Sequence, residues 1–201
     1  MEQIVELVRA AAGGDQPSWD VLVGRYSGLL WAVARGHRLS NADAADVVQT
    51  TWLRCVEHLG GLRDPERLGA WLATTARREC LRVLRQSGRA IPTDDDHTLD
   101  PLDPAEPTPE DRVVRADRDR LLWAAVDALG DRCRLLLRVL MADPPPAYDE
   151  VGAALQMPIG SIGPTRARCL DRLRRSAGLQ AVTASPGQRS AGSGYAGREL
   201  S

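Results

Sequence analysis

The stretch that decides the fold reads SNADAADVVQTTWLRCVEHLGG at residues 40–61 and DPERLGAWLATTARRECLRVLRQSG at residues 64–88. In the first segment, apolar residues recur at helical spacing, which predicts an amphipathic helix with one face in the core; these residues are Val47, Val48, Thr51, Trp52, Cys55, Val56 and Leu59. The second segment starts with Asp64 as a candidate N-cap and Pro65 at the first helical position, and Gly88 follows its end. The sequence therefore predicts two helices joined by a short turn.

The opposite face of the first helix is acidic and polar, with one apolar residue in the middle. It carries Asp43, Asp46, Gln49, Thr50 and Glu57 around Leu53. Charge steers the encounter with a basic partner and a leucine supplies apolar burial, so this face could dock a protein. Taken alone, such a row is more typical of an ordinary solvated face.

The second helix is rich in arginine. Between residues 54 and 89 there are eight arginines against four acids, Glu57, Asp64, Glu66 and Glu79; the arginines are Arg54, Arg63, Arg67, Arg77, Arg78, Arg82, Arg85 and Arg89. Arg78, Arg82 and Arg85 recur at i, i+4 and i+7, which places them on one helical face. A face of this kind suits phosphate, because guanidinium groups bind it bidentately and release its counterions.

In their order, the segments DAADVVQTTWLR and GAWLATTARREC, the latter followed by arginines, resemble region 2 of the sigma-70 family in its extracytoplasmic-function (ECF) group. In that family, the acidic helix binds the clamp helices of the largest subunit of core RNA polymerase, and the following loop and helix melt and hold the promoter minus-10 strand. The resemblance implies polymerase contacts at Asp43, Asp46, Gln49 and Leu53. It implies single-strand contacts at Arg63, Arg67, Trp71, Arg77, Arg78, Arg82 and Arg85. Arg78 stands where the family often has Asn, so the captured base stays open.

The composition predicts two small helical modules. A chain of 201 residues with 43% hydrophobic content can bury one ordinary core or two small ones. Residues 89–108 are acidic and rich in proline, which predicts a flexible linker between modules at 1–88 and 109–176. Residues 177–201 are rich in glycine and serine and are predicted to be a disordered tail. The net charge of −1 argues against a uniformly basic nucleic-acid coat, and all 26 basic residues are arginine.

The four cysteines, Cys55, Cys80, Cys133 and Cys169, form no CxxC pair and are predicted to be small buried hydrophobes in a reducing cytosol. A zinc site at Cys55 and His58 would lack two ligands, so no metal and no cofactor is expected. The N-terminus has no signal-peptide pattern, and no run reaches the ~20 apolar residues of a membrane span. We therefore expect a cytoplasmic protein without membrane insertion.

The second informative stretch is AYDEVGAALQMPIGSIGPTRARCLDRLRRS at residues 147–176. A short helix over residues 148–155, a turn over 156–160 and a longer basic helix from Ser161 predict a helix-turn-helix, whose second helix enters the major groove of DNA. The segment is similar to region 4 of the same family, which reads the promoter minus-35 element. The resemblance implies reading positions at Ser161, Gly163, Pro164, Thr165, Arg166 and Arg168, and Arg172 adds a basic contact.

The interpretation is an all-α, two-module sigma factor of the ECF group that performs no covalent chemistry. Its partners would be core RNA polymerase, through the clamp helices and the flap, promoter DNA and, as is common in the group, an anti-sigma factor. A free-standing helix-turn-helix regulator is the alternative, and it leaves the acidic face of residues 43–53 unexplained. An enzyme with a metal at Asp43 and Asp46 would lack a third ligand.

Overall fold

The computed structural model describes residues 2–87 and 119–176, and every regular element in these two ranges is helical. The N-terminal module, residues 2–87, contains α1 (Glu2–Ala12), α2 (Gln16–Gly36), α3 (Asn41–His58) and α4 (Leu68–Ser87). Two 3-10 turns, Leu59–Gly61 and Pro65–Arg67, connect α3 to α4. The predicted linker and tail lie outside the described residues.

In the C-terminal module, of which the structure describes residues 119–176, residues 119–127 are helical and are called α5. It continues with α6 (Asp131–Leu140), α7 (Tyr148–Leu155), a 3-10 turn at Ile159–Ser161 and α8 (Ile162–Arg174). The prediction of an all-α fold is confirmed.

Local hydrogen bonds explain where the first helices begin. Asp15 caps α2 by accepting a bond from the backbone N–H of Ser18 at 2.9 Å, and Pro17 lies in the first turn. Ser40 caps α3 through the N–H of Asp43 at 3.1 Å. The predicted cap at Asp64 is wrong, because its side chain makes no capping bond and residues 65–67 form a 3-10 turn instead, so α4 begins three residues later than the sequence predicted.

One position of the predicted core stripe on α3 is also wrong. Val47, Val48 and Cys55 are buried as expected, but Val56 is 60% exposed. It follows Leu53 by three residues, which puts it beside that residue on the outer face of the helix. The outer face of α3 is therefore more apolar than the sequence indicated.

The two modules pack against each other. Helix α4 lies against α7 and α2 against α6, and the buried apolar side chains of both modules form one continuous core. Three glycines of the N-terminal module make this approach possible. A Cβ atom would overlap the backbone carbonyl of Asp143 if built at Gly28, the side chain of Leu135 if built at Gly36, and a carboxylate of α7 if built at Gly69. The shape of one module therefore excludes larger side chains from these positions of the other.

Two arginines join the modules by capping helix ends across the interface. Arg134 of α6, which is 3% exposed, donates from Nε to the carbonyl of Gly36, the last residue of α2, at 3.1 Å. In return, Arg38 of the N-terminal module donates from Nη2 to the carbonyl of Asp127 at the end of α5, at 2.7 Å. Helix C-termini carry unpaired carbonyls and partial negative charge, so a cation there is doubly favourable.

A half-buried histidine lies between these charges. Burial lowers the pKa of His37 to about 4, with Arg77 and Arg134 adding repulsion and Asp131 opposing them. Its Nε2 atom is buried and has no hydrogen-bond partner within the described part of the chain. His37 is therefore neutral at physiological pH.

The C-terminal module has its own buried ion pair. Arg138, 7% exposed, binds Asp127 bidentately, with Nη2 2.8 and 2.7 Å from the two carboxylate oxygens. Its guanidinium carbon also lies 4.8 Å from the ring centroid of Trp123. The pair ties α6 to α5.

All four cysteines are buried, as predicted, but two of them are oxidised, whereas the sequence predicted four reduced thiols. Cys55 and Cys80 are free and buried. Cys133 of α6 and Cys169 of α8 are also buried, but they form a disulfide with 5.3 Å between their Cα atoms. The two residues are 36 positions apart and meet only because α8 folds back onto the start of α6.

Candidate nucleic-acid and polymerase interface

A groove of about 680 Å³ opens where the end of α3, the following loop and the first turns of α4 meet. Its lining combines three arginines with an indole, hydroxyl groups and two carboxylates; the residues include Arg63, Arg67, Trp71, Thr74, Thr75 and Arg78, with Glu57 and Asp64 as the acids. Four of the seven residues predicted for the minus-10 strand thus surround one cavity. Cationic side chains next to an aromatic face suit a single nucleic-acid strand, because phosphates pair with the arginines and a base can stack.

Local structure holds the aromatic wall of this groove in place. The ring of His58, at the end of α3, lies 6.2 Å from that of Trp71 between centroids. The hydroxyl of Thr75 donates to the carbonyl of Trp71 at 2.9 Å. Gly61 lies in the tight turn that leads into the loop, and Ala153 of α7 completes the lining from the other module. The groove is therefore partly covered by the helix-turn-helix.

The remaining predicted arginines of α4 divide between two faces. Arg82 and Arg85 are exposed, and Arg82 is oriented by Glu79, whose carboxylate it meets at 2.7 Å. Glu79 is buried and also pairs with Arg54 of α3 at 2.9 Å, which joins the two helices. Arg77 lies on the other side, near His37, and burial lowers its pKa. The structure therefore does not bring Arg77 to the groove.

The outer face of α3 carries the residues predicted to bind polymerase. Asp46 and Gln49 are exposed, and Leu53 is 58% exposed. Val56 continues the same stripe at i+10 from Asp46, a member that sequence reasoning missed although its spacing from Leu53 could have revealed it. Asp43 is half-buried, and its carboxylate accepts a bond from the hydroxyl of Ser40 at 2.8 Å. Asp43 therefore has a structural role at the start of α3.

The C-terminal module contains the predicted helix-turn-helix. Helix α7 ends at Leu155, and the next residue, Gln156, has a left-handed backbone with φ of 52°. The N–H of Met157 then donates to the carbonyl of Gly152 at 3.0 Å, and the buried Met157 side chain anchors the turn. At the start of α7, the carboxylate of Glu150 accepts the N–H of Ala147 at 2.8 Å, and burial raises the pKa of Glu150.

Helix α8 presents most of the predicted reading positions to solvent. Gly163, Pro164, Arg166, Arg168 and Arg172 are exposed, and Ser161 is half-buried with its hydroxyl donating to the carbonyl of Pro158 at 2.7 Å. Pro164 occupies the first turn of α8, where its missing N–H costs no helical bond. Thr165 is 8% exposed and faces the core, so its side chain is not available to a base edge.

Two further features concern ions and membranes. Among residues 2–87 and 119–176, no three His, Cys, Asp or Glu side chains lie close enough to hold a metal ion. None of the helices in these same ranges is both long and apolar enough to cross a membrane.

Comparison with known proteins agrees with this geometry. Residues 22–90 match the family model of sigma-70 region 2, a range that includes α3, the groove and α4. The ECF RNA polymerase sigma-E factor of Salmonella typhimurium is 21% identical over 170 residues, covering 80% of this chain and 88% of that protein. The sigma-E factor of Haemophilus influenzae is 22% identical over 177 residues, with 80% and 89% covered.

A solved structure shares the fold. It is that of CnrH in complex with the cytosolic domain of CnrY, with a TM-score of 0.60 and 21% identity, and it covers 89% of this chain and 97% of CnrH. At this identity the likeness concerns the fold. Together with the sequence matches, it confirms the resemblance to the ECF group of the sigma-70 family that the motifs indicated.

Proposed function

We propose, on the premise that residues 22–90 form a sigma-70 region 2, that the protein is an ECF-type sigma factor that directs core RNA polymerase to promoters. The observation that carries the proposal is the coincidence of this match with a groove lined by arginines and Trp71. As a polymerase subunit the protein would work in the bacterial cytoplasm.

The groove would receive the melted minus-10 strand. Arg63, Arg67 and Arg78 would pair with phosphates, and Trp71 would stack on a base. Arg82 and Arg85, further along α4, would continue the phosphate track. Ala153 of α7 lies at the edge of this groove, so a bound strand would pass next to the C-terminal module.

The outer face of α3 would be the polymerase contact. Asp46 and Gln49 would meet basic side chains of the clamp helices, while Leu53 and Val56 supply the apolar area that a stable contact needs. Since Asp43 is occupied in the capping of α3, we assign it a supporting role in this contact.

Helix α8 would bind duplex DNA at the minus-35 element. Between Ile162 and Arg175 there are five arginines, Arg166, Arg168, Arg172, Arg174 and Arg175, against one acid, Asp171. A basic exposed helix behind a tight turn is the usual geometry of major-groove readers. Ser161, Gly163 and Pro164 would face the bases at its N-terminal end.

The polymerase contact is tested by capture of purified core RNA polymerase on the immobilised protein. We expect Asp46→Arg to abolish capture, because it places a cation where the partner is basic, and Glu6→Arg on α1 to leave it unchanged. Absence of capture by the folded wild type would reject the sigma-factor function and favour a free-standing regulator.

The nucleic-acid contacts are tested by binding of oligonucleotides. Arg67→Ala should weaken binding of a single strand, while Arg168→Ala should weaken binding of a duplex and reduce its salt dependence by about one counterion. Arg9→Ala on α1 is the control for lost charge. If all three variants bind both substrates equally, neither surface contacts phosphate.

An inhibitory partner is a further part of the proposal. CnrH, which shares this fold, was solved with the cytosolic domain of CnrY, so we propose that a small protein of that kind covers exposed apolar residues here. Leu53, Val56 and Ile159 are each more than half exposed and are available for such a contact. The test is a competition in which that partner and core polymerase are offered the same protein, once as the wild type and once as Leu53→Ala.

A further inference from the structure

The disulfide between Cys133 and Cys169 lines an open groove. This second groove, of about 410 Å³, lies between the start of α6 and the exposed side of α8. Cys133 is the third residue of α6, so its sulfur lies at a helix N-terminus, and it is 6% exposed against 1% for Cys169. Both sulfurs are largely buried, but the groove reaches them, so a small reagent in the groove would meet Cys133 first.

Positive charge surrounds this sulfur pair. Arg132, Arg168 and Arg172 line the same groove, and Nη1 of Arg172 lies 4.0 Å from Sγ of Cys133. A helix N-terminus and a neighbouring arginine both stabilise a thiolate, the form of cysteine that reacts. Asp131 is the one acid in the lining, and its carboxylate is held by Arg134 at 2.9 Å.

The other two cysteines provide an internal contrast. Burial raises the pKa of Cys55 to about 11 and that of Cys80 to about 12, so both thiols stay protonated and unreactive at neutral pH. Neither lines the disulfide groove. The chain therefore separates two inert cysteines from two that line a groove next to arginines.

We propose that Cys133 and Cys169 form a reversible thiol–disulfide site through which hydroperoxides and dithiol proteins set the position of the recognition helix α8. The chemistry goes beyond the proposed function, and only its effect on DNA binding rests on that function. In a reducing compartment, an accessible disulfide is usually transient and redox-sensing rather than a permanent staple.

The chemistry balances in both directions. In oxidation, the Cys133 thiolate attacks the O–O bond of a hydroperoxide, becomes a sulfenic acid and releases an alkoxide, or hydroxide from hydrogen peroxide, which takes up a proton. The Cys169 thiol then attacks that sulfur and water leaves. In reduction, one thiolate of a dithiol attacks Cys133 and expels Cys169, and its second thiolate then releases Cys133 and leaves as a disulfide.

The site can act on α8 because other contacts to this helix are few. Its buried side chains are Ile162, Thr165, Cys169 and Leu173, and the disulfide ties it covalently to α6 in the middle of this row. The exposed arginines Arg168 and Arg172 belong to the same groove. Breaking the bond frees α8 to shift relative to α7, so the arrangement of the DNA-binding arginines changes with the redox state.

The first experiment counts accessible thiols in the full-length native protein by alkylation and mass spectrometry. A dithiol reductant should release two thiols, at Cys133 and Cys169, while the helical circular dichroism signal is kept and Cys55 and Cys80 stay unlabelled. Hydrogen peroxide should then remove the same two thiols. If the bond opens only in denaturant, or if peroxide does not restore it, the proposal is overturned.

The second experiment tests the charge. If Arg172→Gln reduces the thiolate fraction about tenfold, the accompanying gain in nucleophilicity offsets about half of that on a logarithmic scale, so peroxide oxidation should slow about threefold. Arg174→Gln on the same helix is the matched control, because the Arg174 side chain pairs with Asp171. This variant should leave the rate of peroxide oxidation unchanged. Equal rates for both variants would contradict the assigned role of Arg172.

A third measurement connects the site to α8. Duplex binding by oxidised and reduced wild type should differ, and Cys133→Ser should behave as the reduced form under either condition. Identical binding by the oxidised and reduced proteins would refute the proposed effect of the disulfide on the position of α8. If the protein binds no duplex in either redox state, the proposed function is rejected. The thiol chemistry is then decided by the first experiment alone.

Discussion

The half-buried His37 makes the stability of the fold dependent on pH. Its pKa is about 4 in the folded chain, whereas an unfolded histidine has a pKa near 6.5. The folded state therefore excludes a proton that the unfolded state accepts, so stability is fully present above pH 6.5 and is lost as the pH falls toward 4. At pH 5 this difference in pKa lowers the equilibrium constant for folding by a factor of about 30, which corresponds to about 2 kcal/mol of lost stability.

The test compares the wild type with His37→Gln, which keeps a polar side chain but cannot become charged. Urea unfolding at pH 7 and pH 5 should show that the wild type loses about 2 kcal/mol more than the variant over this interval. For a chain of this size, the same difference corresponds to about 4–8 °C in the thermal midpoint. Comparing the two proteins cancels other titrations, including that of Glu150, whose raised pKa acts in the opposite direction.

His58→Gln is the control, because His58 is exposed at the end of α3. It should keep the pH dependence of the wild type. If His37→Gln lost stability between pH 7 and pH 5 as steeply as the wild type does, the burial of a neutral imidazole between Arg77, Arg134 and Asp131 would not be the cause.

Three further changes test the packing. Gly28→Ala should force α2 away from the carbonyl of Asp143, and small-angle X-ray scattering should show a larger radius of gyration with unchanged helical content; an unaltered radius would refute the close approach. Arg138→Ala removes the bidentate ion pair with Asp127 and should lower the free energy of unfolding in urea by about 3–5 kcal/mol, whereas a loss below about 1 kcal/mol would mean that the pair adds little. Leu30→Ala, at a position with no exposure, should cost about 2–5 kcal/mol by the same measurement, and a smaller loss would indicate that the cavity collapses.

The helices and the arginine-rich face of α4 could largely be predicted from the sequence, because they depend on local patterns. Periodic apolar residues placed α3 and α4, and the spacing of arginines placed Arg78, Arg82 and Arg85 on the exposed side of α4. The start of α4 was missed, because the choice between an α-helical and a 3-10 turn at residues 65–67 depends on a difference of one hydrogen-bond register.

The contacts between distant segments could not be predicted in this way. The disulfide joins residues 36 positions apart, and no local motif marks them as a pair. The packing of the modules depends on the shapes of Gly28 and Gly36 against Asp143 and Leu135, which a single sequence does not connect. Whether the chain divides into independent units at the linker stays a prediction, although the shared core argues that each part alone would expose apolar surface.

The fit of the glycines to the opposite module also bears on protein engineering. Gly28, Gly36 and Gly69 leave space that atoms of the C-terminal module occupy, so the surfaces of the two modules are complementary at these positions. In a hybrid that joins the C-terminal module of this protein to the N-terminal module of a relative, the glycine positions and the side chains that face them would not correspond. We expect such hybrids to function only when the residues facing these three positions are transplanted together with them.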